Sequence, residues 1–226
     1  MTGDVVDFPE IVELPIFPLP NVVLFPWTLL PLHIFEPRYT QMVGDVLEGS
    51  REIGMVLLQP GWESGYQGNP EVFETGSAGK ITEYKSLEEG RYDILLSGSQ
   101  RFRILDFVQE TPYRTARVQW LKEVLPSGPE ASDIVTELTL NFNHLNQESV
   151  SPEMNLDLLE KLDFSTLVNS ICSSLSLSVY DKQQLLEMDN LKNRAKAILA
   201  VLKQQVSAGR FVSQFIHLKP EDPGVN

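Results

Sequence analysis

Histidine and cysteine most often supply metal ligands, bases and nucleophiles, and this 226-residue chain has three histidines and one cysteine. His33, His144 and His217 lie far apart, in none of the close spacings, such as HExxH, that place two imidazoles on one helix face. Cys172, the single cysteine, supports neither an internal disulfide nor a thiolate metal site, and it falls on the apolar face of a predicted helix. We therefore expect no metal ion and no cofactor.

Residues 74–81 (ETGSAGKI) come close to the phosphate-binding pattern GxxxxGK[ST]. Glu74 stands where the pattern has glycine, and a carboxylate at that position repels phosphate. Ile81 replaces the hydroxyl that would hold magnesium, and Lys80 begins a predicted strand rather than a helix. The segment is therefore predicted to be a bend between strands. Because the chain also lacks a GxSxG elbow, we expect no catalytic residues and no enzymatic activity.

Two aromatic residues lie in the glycine-rich segment 61–70, GWESGYQGNP. Aromatic side chains in loops are often solvent-accessible and bind apolar segments of a partner. Trp62 and Tyr66 are therefore candidates for polypeptide binding. In the alternative interpretation, both residues fold back onto the sheet as a lid.

Three arginines occupy outward-facing positions of predicted strands, namely Arg101, Arg103 and Arg117. They form either a cationic stripe for acidic peptide groups or cross-strand pairs with the chain's many carboxylates, and we favour the second interpretation. Arg38, at the start of a predicted helix, is a further binding candidate. In the alternative, it forms a salt bridge at the helix start.

The segment that positions these candidates runs from Leu14 to Tyr39, LPIFPLPNVVLFPWTLLPLHIFEPRY. Each proline removes an N–H donor and excludes a continuous helix, so we expect short extended pieces with tight corners, mostly buried. Pro37 is predicted to begin a helix in which apolar residues recur at helical spacing until Gly49.

Short strands separated by glycine and proline turns occupy the rest of the first half, and they predict a sheet curled into a barrel-like shape. After a junction at residues 126–129, the apolar period becomes helical. The predicted fold class is α+β. We assign residues 10–124 to a β pseudo-barrel subdomain, 130–207 to a helical bundle subdomain and 208–226 to a C-terminal tail.

Capping residues mark the starts of two helices in the second half. Asp163 is predicted to cap one helix, and Ser178 with Asp181 forms a capping box before another. The sequence leaves open the role of an apolar cluster near the C-terminus, Phe211, Phe215 and Ile216.

The formal charge of −13 and the pI near 4.6 disfavour binding to phosphate backbones and anionic membranes. The first ten residues lack a signal-peptide pattern, and no stretch approaches the ~18 apolar residues of a membrane span. We therefore expect a cytoplasmic protein that binds neither nucleic acid nor membrane. The oligomeric state stays open.

The proline-broken segment Leu14–Tyr39 resembles the start of the Lon substrate-binding domain, the N-terminal region of the ATP-dependent protease Lon. Residues 76–82 (GSAGKIT) resemble the family's GxxGxI bend, and residues 96–104 (LSGSQRFRI) resemble its LxGxxRFRI hairpin. Residues 182–187 and 194–202 are similar to the helices that end that domain. The resemblance covers about residues 14–206.

This resemblance implies a PUA-like pseudo-barrel followed by a helical bundle, and a role in recognising unfolded or tagged polypeptides. In Lon, the ATPase and the Ser-Lys peptidase lie downstream of this domain. This chain has neither segment, so it resembles a stand-alone, ATP-independent relative. Trp27 stands where smaller or polar residues are common in the family, and we expect it to alter a surface contact.

Our first functional hypothesis is a non-enzymatic module that binds unfolded or tagged polypeptide segments and serves a protease as an adaptor or client binder. Its predicted binding residues are Trp62, Tyr66, Arg38, Arg101 and Arg103. The alternative is a small-molecule sensor or cryptic enzyme that uses a pocket in the barrel. RNA binding, by analogy with other PUA-like folds, is opposed by the net charge.

Overall fold

The first half of the chain forms six β-strands in one mixed sheet. The computed structural model describes residues 10–65, 68–126, 128–147 and 161–216. One helix, α1 (Pro37–Leu47), lies between the second and third strands. The strands are β1 (Ile11–Leu19), β2 (Leu29–Ile34), β3 (Glu52–Leu57), β4 (Thr75–Ser86), β5 (Tyr92–Gln109) and β6 (Arg114–Trp120).

The sheet closes on itself through its longest strand. The strand order is β2-β5-β4-β3-β1-β6, and β5 also pairs with β6, so five strands form a barrel and β2 extends it at one edge. β1 and β3 run parallel, and the other pairs are antiparallel. Register shifts in the β4–β5 and β5–β6 pairs bend these long strands, as closure requires. The predicted α+β fold with a pseudo-barrel is confirmed.

β1 contains two prolines and is nevertheless internal to the sheet. Its residues 11–16 pair with β6, and its residues 16–19 pair with β3. Pro15 therefore has a registered neighbour only in β6, and Pro18 only in β3. Each proline lacks an N–H donor and has a registered strand on one side only, the position at which a sheet tolerates proline best. The predicted extended pieces are present, but β1 runs through both of its prolines without a break, and β2 is mostly not buried.

Helix α1 and the barrel share an apolar core. Pro37 is the first helical residue, and the buried positions Tyr39, Met42, Val43 and Val46 recur at helical spacing, as predicted. Two groups of buried side chains fill the barrel. One includes the α1 residues together with Phe17, Leu24, Ile34, Ile53, Met55, Ile81, Ile94 and Leu96, and the other consists of Leu14, Ile16, Val56, Leu58, Val72, Ala78, Phe102, Ile104, Ala116 and Val118.

The chain divides into two compact units, and a helical segment belongs with the sheet. The first unit runs to Glu123 and also contains Cys172–Asp189. Helix α4 (Val179–Glu187) lies in this segment and begins at the predicted cap, where the backbone N–H of Asp181 donates to Ser178 Oγ over 3.1 Å. Gln183 Nε2 donates to the carbonyl of Thr75 over 3.0 Å and ties α4 to β4.

The second unit contains Val124–Ile171 and continues from Asn190. Its helices are α2 (Pro129–Gln147), the first eight residues of α3 (Phe164–Ser174) and α5 (Leu191–Ile216). Lys192 and Lys196 of α5 both contact the carboxylate of Glu130 on α2, at 2.6 and 3.0 Å. The division into a β pseudo-barrel subdomain at residues 10–124 and a helical bundle subdomain at residues 130–207 stays a prediction.

Helix α5 continues through position 209 to Ile216, although the sequence predicts a C-terminal tail over residues 208–226. One glycine costs a helix only about 1 kcal/mol, which neighbouring turns offset. The side chains of Phe211, Phe215 and Ile216 lie outside the described part of the structure, so the role of this cluster stays open. Among the described residues, no helix combines the length and apolarity needed to cross a membrane.

Candidate functional site

An exposed tryptophan occupies a tight turn between β1 and β2. The side chain of Trp27 is 57% exposed, and its backbone has φ = 64°. Bulky residues rarely adopt this left-handed conformation, because their Cβ approaches the neighbouring carbonyl. Trp27 therefore combines backbone strain with an exposed aromatic surface, and residues in this state cluster at functional sites.

Local hydrogen bonds and one glycine fix the Trp27 turn. The backbone N–H and the hydroxyl of Thr28 both donate to the carbonyl of Phe25, at 3.3 and 2.8 Å. The N–H of Trp27 donates to Gly98 O over 2.9 Å, and the N–H of Gly98 donates to Thr28 O over 2.8 Å. A Cβ on Gly98 would lie 2.2 Å from the carbonyl oxygen of Phe25, so only glycine permits this approach.

The Trp27 turn forms one wall of a surface groove of about 550 Å³. Trp120 lies in the same groove, half-buried, with its ring edge-on to buried Phe102 at a centroid distance of 6.4 Å. Aromatic pairs in this geometry are favourable and hold both rings in place. The lining residues are Pro26, Trp27, Glu52, Ser99, Gln100, Arg101, Trp120, Leu121, Lys122 and Glu123, which we call the Trp27 groove.

The Trp27 groove contains acidic as well as aromatic side chains. Glu52, the first residue of β3, is half-buried, and its carboxylate makes no ion pair or hydrogen bond with a residue that the structure describes. Glu123 is 18% exposed and lies 3.5 Å from the guanidinium of Arg101. The groove therefore offers the exposed indole of Trp27, the half-buried indole of Trp120 and an available carboxylate.

Arg101 is fully buried and contacts the carboxylates of Asp189 and Glu123, so it does not form part of a cationic stripe for acidic peptide groups. Its side chain points out of the barrel, but Nη1 donates to the carbonyl of Leu186 over 2.9 Å and to Asp189 Oδ1 over 3.0 Å. The side chain has no solvent exposure. Period-2 alternation shows which face of a strand a residue occupies, but not whether a later segment covers that face. Arg101 holds residues 186–189 against β5, and a polypeptide in the groove does not reach its guanidinium.

The two other strand arginines differ from Arg101. Arg117 forms a bidentate pair with Asp106, with Nε 2.8 Å from Oδ1, so cross-strand pairing is confirmed at this position. The hydrogen bond from Arg117 lowers the pKa of Asp106. Arg103 is exposed and pairs with no described residue, and its role in binding stays a prediction.

Trp62 lies on the barrel rather than in solvent. It opens a single 3-10 turn, Trp62–Gly65, and packs half-buried against the buried group that contains Leu58 and Val72. This position agrees with the lid interpretation for Trp62. Tyr66 falls outside the described residues.

Arg38 lies in a small cleft on the barrel. Its Nη2 is 3.0 Å from Glu36 Oε2, and its guanidinium lies 4.6 Å from the ring centroid of Tyr39. The predicted salt bridge at the helix start is therefore present. The cleft holds only about 20 Å³, the space of one water molecule. It is too small for a polypeptide side chain.

Arg114 and Tyr113 form the other side of this cleft. Arg114 is buried, and its Nε and Nη2 donate to Asn69 Oδ1 and Pro70 O over 3.1 and 2.8 Å. Burial lowers the pKa of the Arg114 guanidinium. The hydroxyl of Tyr113 donates to Asp45 Oδ2 over 2.8 Å, and burial together with this bond raises the pKa of Tyr113 to about 12. These contacts fix the loop that follows Trp62.

The structure thus does not assemble the four described members of the predicted binding set, Trp62, Arg38, Arg101 and Arg103, into one site. Sequence reasoning noted Trp27 only as a departure from a family pattern and did not identify the groove. Two signals were available: a tryptophan directly after proline in an apolar segment, and a second tryptophan at the end of the last strand. Among the described residues, no group of three or more histidine, cysteine, aspartate or glutamate side chains is placed to hold a metal ion.

Comparison with known proteins identifies the fold family. Residues 13–204 match the model of the ATP-dependent protease La (LON) substrate-binding domain. The chain is 29% identical to the Lon protease of Cytophaga hutchinsonii over 206 residues and 28% identical to that of Anaeromyxobacter dehalogenans over 206 residues. These alignments cover 88% of this chain but 25% and 24% of the relatives, so the chain spans about a quarter of their length.

Two solved structures share the fold. A Lon N-terminal domain protein from Xanthomonas campestris superposes with a TM-score of 0.61 at 23% identity, covering 84% of this chain and 98% of that protein. The N-terminal domain of the Mycobacterium avium complex Lon protease gives a TM-score of 0.67 at 16% identity, covering 87% and 98%. Since the family model matches most of the chain, this protein belongs to the Lon substrate-binding domain family.

Proposed function

We propose that this protein is a non-enzymatic module that binds extended polypeptide segments in the Trp27 groove. The observation that carries this proposal is Trp27 itself, which is 57% exposed at φ = 64°. Neither property contributes to folding stability, because the side chain buries little apolar surface and the backbone is strained. A residue that is costly to the fold in both respects is explained by an interaction with a partner.

The dimensions and lining of the groove fit a polypeptide side chain. A volume of about 550 Å³ lies within the range of small-ligand sites and accommodates one or two large side chains. Pro26, Trp27, Trp120 and Leu121 supply apolar walls. Tryptophan is enriched among the residues that dominate binding energies at protein interfaces. By contrast, the apolar side chains of the barrel strands pack into two buried groups, which favours the groove over the small-molecule site considered from the sequence.

Family membership supports the same class of ligand. The matching family is the substrate-binding domain of an ATP-dependent protease, and the relatives are Lon proteases of about four times this length. We propose that the polypeptides bound here are unfolded or tagged protease substrates. In this role the protein acts as an adaptor that holds clients for a protease.

A binding titration with a permanently unfolded, fluorescently labelled polypeptide tests the site. We expect Trp27→Gly to weaken binding at least about tenfold, since truncation of a central interface tryptophan typically costs 2 kcal/mol or more. Leu140→Gln is the matched control, because Leu140 is 55% exposed and does not line the groove. Equal affinities of wild type and Trp27→Gly would exclude the groove, and no binding by wild type would exclude the proposed function.

The adaptor role requires a second measurement. Adding the protein to a purified Lon protease should change the degradation rate of a labelled unfolded client, and Trp27→Gly should not produce this change. If wild type and Trp27→Gly alter degradation equally, delivery through the groove is wrong.

A further inference from the structure

We infer that the Trp27 groove selects polypeptide segments in which a large apolar residue lies next to a lysine or arginine. This inference rests on the proposed function and specifies its substrate class. It follows from three features of the groove: an available carboxylate, one exposed and one half-buried tryptophan, and a buried arginine whose charge is neutralised within the protein.

The available carboxylate is that of Glu52. Lys80 lies opposite Glu52 in the β3–β4 register, but the two side chains form no ion pair within 4 Å, and no other described residue pairs with Glu52. A half-buried carboxylate without a cation interacts with an incoming ammonium or guanidinium more strongly than a fully hydrated one. Glu52 therefore favours a cationic side chain in the groove.

The aromatic faces favour the same occupant. Cations bind to the faces of tryptophan more strongly than to those of other side chains, and Trp27 and Trp120 both line the groove with Glu52. The same faces accept an apolar side chain through burial of surface. A segment with both residue types therefore gains a cation–aromatic contact and burial of apolar surface from the same two tryptophans.

The cations of the groove do not reverse this preference. Arg101 is paired with Asp189 at 3.0 Å and lies 3.5 Å from Glu123, so its charge is balanced inside the protein. Lys122 is exposed at the groove and is the cation that an incoming basic side chain must avoid. The net charge of −13 adds a field that attracts basic segments and repels acidic ones.

Three synthetic peptides test the inference with the full-length protein. They share one central tryptophan-free apolar core, for example two leucines and a phenylalanine, flanked by lysine, glutamine or glutamate. A fluorescent label on each peptide reports binding through its anisotropy, so the readout does not depend on Trp27. At low ionic strength we expect the lysine peptide to bind roughly tenfold more tightly than the glutamate peptide, with the difference reduced at high salt.

Two charge-matched variants assign the preference to the groove. Glu52→Gln should reduce the ratio between lysine and glutamate peptides to within about threefold. Glu83→Gln removes the same charge from an exposed position outside the groove and should leave the ratio unchanged. Equal reductions in both variants would assign the preference to the overall charge and overturn the inference.

The glutamine peptide separates the inference from the proposed function. If it binds wild type but not Trp27→Gly, and the lysine and glutamate peptides bind equally, the substrate class is wrong while the groove stands. If none of the three peptides binds wild type, both the inference and the proposed function are wrong.

Discussion

Trp27, in the turn between β1 and β2, and Trp62, in the loop after β3, each have the opposite exposure to the one that the composition of the surrounding segment predicts. Trp27 lies in the most apolar, proline-rich segment of the chain and is 57% exposed. Trp62 lies among glycines and polar residues, and it packs against the barrel core. The exposure of a tryptophan thus depends on the backbone that carries it rather than on the character of its neighbours in sequence.

The two tryptophans also differ in what they contribute to stability. Trp62 is partly buried against the barrel core and stabilises the fold by roughly 25 cal/mol per Å² of apolar surface that it buries, so its position is accounted for without a partner. Trp27 occupies a left-handed conformation that costs of order 1–3 kcal/mol and gains little from burial. Removal of the two indole side chains, by Trp62→Ala and by Trp27→Gly, is therefore expected to change the free energy of unfolding in opposite directions.

The largest effect is expected from Gly98→Ala. The added Cβ would meet the carbonyl oxygen of Phe25 at 2.2 Å, and because that atom belongs to the backbone, the Trp27 turn must move. We expect the free energy of unfolding to fall by about 3 kcal/mol, measured by urea denaturation, with loss of polypeptide binding.

Gly44→Ala is the matched control for that substitution. Gly44 lies inside α1, and its added Cβ would approach only the hydroxyl of Tyr92, at 3.8 Å. Since alanine is the better helix former, this variant should be up to about 1 kcal/mol more stable than wild type. If Gly98→Ala were equally well tolerated, the turn would not depend on its contact with β5.

The next largest effect is expected from Trp62→Ala. Truncation of a fully buried tryptophan costs 3–5 kcal/mol, so this half-buried side chain should contribute about 2 kcal/mol to the free energy of unfolding. Polypeptide affinity should not change. Full stability combined with lost binding would instead place the binding site at the Trp62 loop, as the sequence first suggested.

Sequence reasoning predicted the fold well because the fold follows from local patterns. Alternating strands, the proline start of α1 and the Ser178 cap are encoded by neighbouring residues, and each appears as expected. The site depends on contacts between distant segments. The exposure of Trp27 depends on Gly98, and the burial of Arg101 depends on residues 186–189, which lie 85 or more positions later. Periodicity carries no information about such contacts.

Trp27→Gly should change stability only slightly, and in the opposite direction to Gly98→Ala and Trp62→Ala. Glycine adopts φ = 64° without strain, so we expect the free energy of unfolding to stay equal or rise by up to about 1 kcal/mol. Trp27→Ala removes the same side chain but keeps a Cβ, and it should be less stable than Trp27→Gly. If Trp27→Gly were destabilised by more than 1 kcal/mol, the indole would be a structural residue, and its exposure would no longer argue for a partner.

The smallest effect on stability at neutral pH is expected from Tyr113→Phe. Tyr113 lines one cleft with Asn69 and Pro70, which belong to the loop that holds Trp62. Burial and the hydrogen bond to Asp45 raise its folded-state pKa to about 12, above the ordinary value of 10.0. The unfolded chain therefore loses this proton first, so the contribution of Tyr113 to stability is complete below pH 10 and is lost as the pH rises to about 12. Urea denaturation across this range should show the stability difference between wild type and Tyr113→Phe constant below pH 10 and shrinking above it. The ultraviolet absorbance of wild type minus Tyr113→Phe should show one tyrosinate forming near pH 12, and a midpoint near pH 10 would mean that the phenol is not held by Asp45.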